Sequence, residues 1–144
     1  MNSPQLTYYD IGPRVVAFST TRHGGISEGT YSAFNINRYC GDDAGHIAHN
    51  HHLLATLLAI PDNHIIMPHQ VHGTEVRRID GPQQEIIEGV DAVMTDVSRL
   101  CIGVSTADCI PILLYDELHH AVCAVHAGWR GTVQRIVRVA VEAM

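Results

Sequence analysis

The order of apolar and polar positions predicts an α/β protein, a mixed β-sheet with helices packed on it. Val15 to Thr20 is a short β-prone run, and a loop rich in Gly, Ser and Asn follows from Thr21 to about Gly41. Asp42 or Asp43 can cap a helix from about Ala44 to Ala59, with Ile47, Leu54, Leu57 and Leu58 as its apolar stripe and Pro61 just beyond its end. Six apolar segments come next: His64 to Met67, Thr74 to Ile79, Ala92 to Thr95, Cys101 to Ser105, Ile110 to Tyr115 and Ala121 to Val125. Gly73, Gly81-Pro82, Gly89, Gly103 and Asp116-Glu117 mark the turns between them. Runs this apolar suit strands covered on both faces, so helices should pack on the sheet. Val133, Ile136, Val137, Ala140, Val141 and Met144 then define one helical face, with Thr132 as its cap. The chain stops within that stripe, which suggests truncation at the C-terminus; an uncovered stripe would favour self-association.

Composition adds bounds. The chain has 144 residues, which suits a single domain spanning 1–144 with a real core. Hydrophobic residues make up 46% and charged residues 17%, a balance that excludes disorder. The net charge of −6 gives no general attraction to nucleic acid or to an anionic membrane, so a bound anion needs a local pocket. No apolar run approaches the roughly 20 residues that span a bilayer. Met1 to Asp10 lacks the basic and apolar regions of a signal peptide. Cys40, Cys101, Cys109 and Cys123 show no CxxC spacing, and a reduced, cytoplasmic protein is the expectation.

The unusual number is eleven histidines. Three segments place a candidate metal ligand beside tight-turn residues: Gln70-Val71-His72-Gly73, Thr106-Ala107-Asp108-Cys109 and Val125-His126-Ala127-Gly128-Trp129-Arg130-Gly131. Each candidate lies at or near the end of an apolar strand, where the sites of α/β folds collect. Two imidazoles and a thiolate suit Zn²⁺, and three protein ligands leave a fourth position for water or substrate. The spacing alone leaves the alternative open that Cys109 is a small buried hydrophobe and that His72 and His126 are ordinary turn histidines.

A series of motifs adds to this reading. Thr20-Thr21-Arg22-His23-Gly24-Gly25-Ile26-Ser27, Gly41-Asp42-Asp43, Gln70-Val71-His72-Gly73, Asp91-Ala92-Val93-Met94-Thr95, Thr106-Ala107-Asp108-Cys109 and His126-Ala127-Gly128-Trp129-Arg130-Gly131-Thr132 occur in this order. The series closely resembles the YfiH family, also described as multicopper polyphenol oxidases, laccase-domain proteins or the peptidoglycan-editing factor family. The resemblance runs from about Val15 onward, although members of that family are about a hundred residues longer. It implies that His72, Cys109 and His126 are zinc ligands. It also implies purine nucleoside phosphorolysis and adenosine deamination, with a purine nucleoside and phosphate as small-molecule partners.

Other residues carry two readings each. Arg22 lies in a loop whose Gly24-Gly25 pair permits close approach to a ligand, and Arg130 stands before a predicted helix N-terminus. Both are candidates for holding phosphate or substrate, and both could be ordinary surface arginines. Asp108, beside Cys109, is a candidate general base or a partner of the ligands, and a strand-end carboxylate bonding backbone amides is the plainer reading. Trp129 could stack on a purine or only pack. Asp91 opens a strand and reads as a turn residue. His46, His49, His51 and His52 read as the solvated face of an amphipathic helix, and His119-His120 as a solvated turn. Cys101 and Cys123 read as buried.

The leading expectation is thus a zinc-dependent purine nucleoside enzyme in which Asp108, Cys109 and Arg130 serve catalysis and Arg22, Gly24, Gly25 and Arg130 bind substrate. A copper-dependent phenol oxidase is a rival, since Cu²⁺ outcompetes Zn²⁺ for such ligands. Copper clusters use paired His-x-His elements, and only His49-Asn50-His51 has that form. A metal-free cysteine hydrolase is another rival, with Cys109 as nucleophile and His126 as base acting on a peptidoglycan-related amide.

Overall fold

A computed structural model describes residues 3–144. Its contacts gather into two compact units. The first comprises the chain up to Asp10 together with Val16–Asp62, and the second comprises Ile11–Val15 and Asn63–Met144.

In the first unit, β1 (Leu6–Tyr9) pairs antiparallel with β2 (Ala17–Thr20), Leu6 opposite Thr20. The first strand had no counterpart in the sequence pattern. Helix α1 (Ala44–Leu58) starts at Asp43, whose carboxylate accepts the His46 amide at 2.9 Å, and ends at Ala59 in the left-handed region. Both ends therefore follow the predicted cap and stop signals. The buried face departs from the predicted stripe. Ile47, Leu54 and Ala55 are buried, but Leu57 is exposed, while Asn50 and His51 lie inside.

Hydrogen bonds explain how polar groups occupy that face. Asn50 accepts the Ile26 amide at 2.8 Å and donates to Ser27 Oγ and the Asn35 carbonyl, each at 2.9 Å. It satisfies a loop with no regular ladder of its own. His51 donates its Nε2–H to the Asp62 carbonyl at 3.0 Å. The expectation of a solvated His51 is therefore corrected: burial follows from a partner eleven positions on, which helical periodicity does not register.

The second unit is built on a four-stranded sheet. Its strands are β4 (Val76–Arg78), β5 (Ala92–Thr95), β7 (Ile110–Asp116) and β8 (Ala121–Ala127), in the order β4-β5-β8-β7. The β4–β5 pair is parallel and the other two are antiparallel, so the sheet is mixed. Two short strands, β3 (Ile65–Ile66) and β6 (Cys101–Ile102), pair in parallel beside it.

Alternate residues of the central strands feed two cores. Ala92, Met94, Cys123, Val125 and Ala127 join Ile136 and Ala140 on one face; Val93 and Ala124 join Ile66, Ile79 and Val90 on the other. The expected double coverage holds for β5 and β8. It fails for the edge strand β7, where Ile110 and Leu113 are exposed.

The predicted last helix is two helices, α2 (Trp129–Val133) and α3 (Ile136–Ala143). Gly128, not Thr132, is the N-cap of α2, and Arg135 takes a left-handed φ of 64° between the helices. This break separates Val133, 73% exposed, from Ile136, fully buried. Val141 also faces outward, so the buried line of α3 is Ile136 and Ala140, flanked by Val137 and Met144.

Candidate metal centre

Three side chains converge in the second unit. His72 stands on the loop between β3 and β4, Cys109 directly precedes β7, and His126 lies near the end of β8. The strand pairing places Pro111 opposite His126, which brings the start of β7, and Cys109 with it, to the end of β8. One ligand atom from each of His72, Cys109 and His126 lies within 4.8 Å of the other two. The imidazoles meet edge to face, with centroids 5.1 Å apart and planes at 70°. Exposure is graded: His126 is buried, Cys109 half-buried and His72 exposed. A site that is anchored inside and open on one side is what a metal meeting a substrate requires.

The backbone around the site is close-packed. A Cβ on Gly128 would lie 2.9 Å from His72 Cδ2 and 3.4 Å from Cys109 Sγ. A Cβ on Gly131 would lie 3.0 Å from the Gly73 carbonyl oxygen, so the first turn of α2 sits directly against the His72 loop. Gln70 ties that loop to the Cys109 segment through Ser105.

Beneath the two histidines lies Asp91, which is fully buried. Its carboxylate accepts His126 Nδ1–H at 2.7 Å and the backbone amides of Val71, His72 and Gly73 at 3.0, 2.9 and 3.0 Å. Burial pushes this carboxyl up. The bond from His126 and those from the Val71, Gly73 and His72 amides outweigh that effect and hold the carboxyl below its ordinary range. With Nδ1 engaged, His126 presents Nε2 to the cluster.

The donor set fits a borderline metal: two imidazoles and a thiol within reach of one another, with a hydrogen-bonded carboxylate behind one histidine. Residues 16–144 match the family model for multi-copper polyphenol oxidoreductase laccase. The chain belongs to this family.

Laccase-domain relatives share much of the sequence. A purine nucleoside phosphorylase of Bacteroides thetaiotaomicron is 43% identical over 129 residues, covering 84% of this chain and 48% of that protein. Adenosine deaminase RL5, from an unknown prokaryotic organism, is 41% identical over 138 residues, covering 90% of this chain and 53% of that protein. The crystal structure of Bacillus licheniformis YfiH superposes with a TM-score of 0.91 at 26% identity, over 98% of this chain and 56% of that one. The YfiH fold expected from the motif series is thereby confirmed. The chain spans about half the length of these relatives.

The remaining predicted residues fall in different places. Asp108 is exposed in the segment leading to Cys109. Arg130 is exposed in the first turn of α2, its guanidinium 5.3 Å from the Trp129 ring centroid, and Trp129 is itself exposed. Arg22 belongs to the first unit, where it donates to the Ser32 carbonyl at 3.1 Å. Gly24 and Gly25 have φ of 87° and 74°. A Cβ on Gly25 would meet Asn50 Oδ1 at 2.6 Å, and one on Gly24 would strike the Ser3 carbonyl, so the close approach these glycines allow is to the protein itself. Among the residues that support the ligands, sequence reasoning passed over Asp91 as a turn residue. The available signal was its place at the head of a buried strand, where a carboxylate needs donors.

Among the described residues, no helix is long and apolar enough to cross a membrane.

Proposed function

We propose that the protein works as a zinc-dependent purine nucleoside enzyme, by phosphorolysis of adenosine or inosine, deamination of adenosine, or both. The observation that carries this reading is the convergence of His72, Cys109 and His126 in a chain whose similar proteins bear those two enzyme names. When bound, zinc supplies Lewis-acid polarisation at the coordination position that three protein ligands leave open.

The chain's own residues supply the rest. Cys109, half-buried, serves as the thiolate ligand. Asp108, exposed and next to it in sequence, is the candidate for proton uptake or return. Arg130 offers a guanidinium for phosphate, braced by the Trp129 ring. In the first unit, Arg22, with part of its guanidinium on the Ser32 carbonyl, is proposed separately as a residue that holds an anion, and Gly24 and Gly25 shape its loop.

The test combines elemental analysis of native protein with assays on adenosine and inosine, with and without phosphate. About one zinc per chain, lost together with turnover in Cys109→Ala, is the expected result. Free purine base formed only with phosphate identifies phosphorolysis, and ammonia released from adenosine identifies deamination. Unchanged turnover in Cys109→Ala would sink the proposal.

Membership of the multi-copper polyphenol oxidoreductase family favours a second reading, copper-dependent phenol oxidation. The two-imidazole, one-thiol set accepts copper as well as zinc. The His49-Asn50-His51 pair does not extend that set, since His51 is buried against Asp62. Stoichiometric copper in native protein, with oxidation of a phenol, would move the assignment there. Amide hydrolysis that survives a chelator would instead select the metal-free cysteine hydrolase.

A further inference from the structure

We infer that Asp91 is the positioning residue of this centre, a single buried carboxylate that sets both histidine ligands, His126 through its ring and His72 through its backbone. The inference rests on the reading of His72, Cys109 and His126 as metal ligands.

The geometry is specific on both sides. Asp91 Oδ2 accepts His126 Nδ1–H at 2.7 Å and the His72 amide at 2.9 Å, while Oδ1 accepts the amides of Val71 and Gly73 at 3.0 Å each. Four donors meet the roughly four acceptor sites of an ionised carboxylate, and three of them are backbone N–H groups that cannot act as acceptors. Donors of that kind favour the ionised form, and an ionised carboxylate 2.7 Å from Nδ1 can only accept there, so the His126 proton sits on Nδ1. That tautomer puts the lone pair on Nε2, the form in which a histidine binds a metal. The Asp91 carbonyl also accepts the His126 amide at 2.7 Å, which fixes the ring's starting point as well as its tilt.

The hold on His72 is of another kind. His72 has φ of 63°, a left-handed conformation that costs a non-glycine residue on the order of 1 kcal/mol or more and persists only where surroundings impose it. Three consecutive amides turned onto one carboxylate impose it here. His72 is exposed, so little side-chain packing holds it in place, and its position depends on this backbone clamp. A carboxylate that served only to cap a loop would need none of the contact with the His126 ring. One that served only to orient the ring would leave the 71–73 turn unheld.

The conservative variant Asp91→Asn keeps the size but replaces two acceptor sites with an N–H₂ donor, which must face either His126 or the amides. Zinc and cobalt affinity would be measured by competition with a chromogenic chelator, on wild type and variant of matched circular dichroism. In the metal-free proteins, ring-nitrogen NMR would read the His126 tautomer. We expect the Nδ1–H form in wild type, its loss in Asp91→Asn, and metal affinity weaker by about 10- to 100-fold, with an altered visible spectrum of the cobalt form. A folded variant with unchanged affinity and tautomer overturns the inference. If the variant does not fold, wild type alone decides: an Nε2–H tautomer in the metal-free protein overturns it, and the Nδ1–H form supports it. Wild type that takes up neither metal defeats the centre itself, a failure distinct from a loaded site that ignores Asp91.

Discussion

Gln70 and Ser105 exchange two hydrogen bonds: the Gln70 side-chain amide donates to the Ser105 carbonyl at 2.7 Å, and the Ser105 amide donates to Gln70 Oε1 at 2.7 Å. One side chain thereby ties the segment that carries His72 to the segment that leads to Cys109. No regular strand pairing covers residues 103–109, so this exchange does there what a ladder does elsewhere. Gln70→Glu keeps the acceptor, removes the donor and brings a carboxylate against the Ser105 carbonyl. We expect a loss of roughly 1–3 kcal/mol in unfolding free energy and a several-fold drop in metal affinity. Gln70→Ala should lose affinity too. Urea unfolding and chelator competition check both, and variants that bind metal like wild type would remove Gln70 from the ligand scaffold.

Gly128→Ala separates stability from ligand geometry. Gly128 has φ of −74°, so alanine meets no backbone strain there. Its Cβ would instead press on His72 Cδ2 at 2.9 Å. An exposed imidazole can swing away at little cost, so the fold should survive with unfolding free energy within about 1 kcal/mol of wild type. The ligand set should not survive intact, and metal affinity should fall by at least ten-fold. Gly131→Ala is the contrasting case, because its Cβ meets the backbone oxygen of Gly73 at 3.0 Å, which cannot swing aside. Thermal melts with metal titrations check the pair. Equal stability losses in both variants would defeat the distinction.

How much of this was legible in the sequence depends on the range of the interaction that decides each feature. The ends of α1 are local: Asp43 caps three residues ahead, and the helix stops at Ala59 before Pro61. They were read correctly. The three candidate ligands, which the structure brings together, were legible as candidates because each stands beside turn residues at the end of an apolar run. Asp91 was missed because its partners lie 18 to 20 residues before it and 35 after it. His51 was misread for the same reason, since a polar residue on a helix is solvated by default unless a distant loop needs its hydrogen bonds. The break at Arg135 left no trace, as neither Gly nor Pro stands at 134–135 and the apolar period runs on through it.

His51 gives the first unit a pH dependence. Burial depresses its pKa, and the bond to the Asp62 carbonyl offsets this only in part. Its Nδ1 is buried with no hydrogen-bond partner among the described residues, so a second ring proton would have nowhere to go. A histidine with a depressed folded-state pKa takes up protons more readily when unfolded. Its contribution is therefore complete above the unfolded value of about 6.5 and is lost as pH falls from there through the folded value. Denaturant unfolding at pH 7.5 and at pH 5.5 should show a smaller loss of stability in His51→Gln than in wild type. Gln can still donate to Asp62 but has nothing to titrate. Identical losses would show that His51 is not the group responsible.

Thiol reactivity discriminates among the four cysteines. Burial pushes the Cys101 and Cys123 thiols up to about 12, which leaves roughly one part in ten thousand as thiolate at pH 8. Alkylation of native, metal-free protein should therefore reach exposed Cys40 and half-buried Cys109 long before Cys101 and Cys123. Added zinc should then slow Cys109 and leave Cys40 unchanged, because a coordinated sulfur has its lone pair committed and Cys40 lies in the first unit, outside the ligand group. Peptide mass spectrometry of timed samples resolves the four sites in one experiment. Rapid labelling of Cys123 would contradict its place in the core. Equal labelling of Cys109 with and without zinc would take the thiolate out of the ligand set, and a centre left with two histidines would hold the metal too weakly to serve the proposed chemistry.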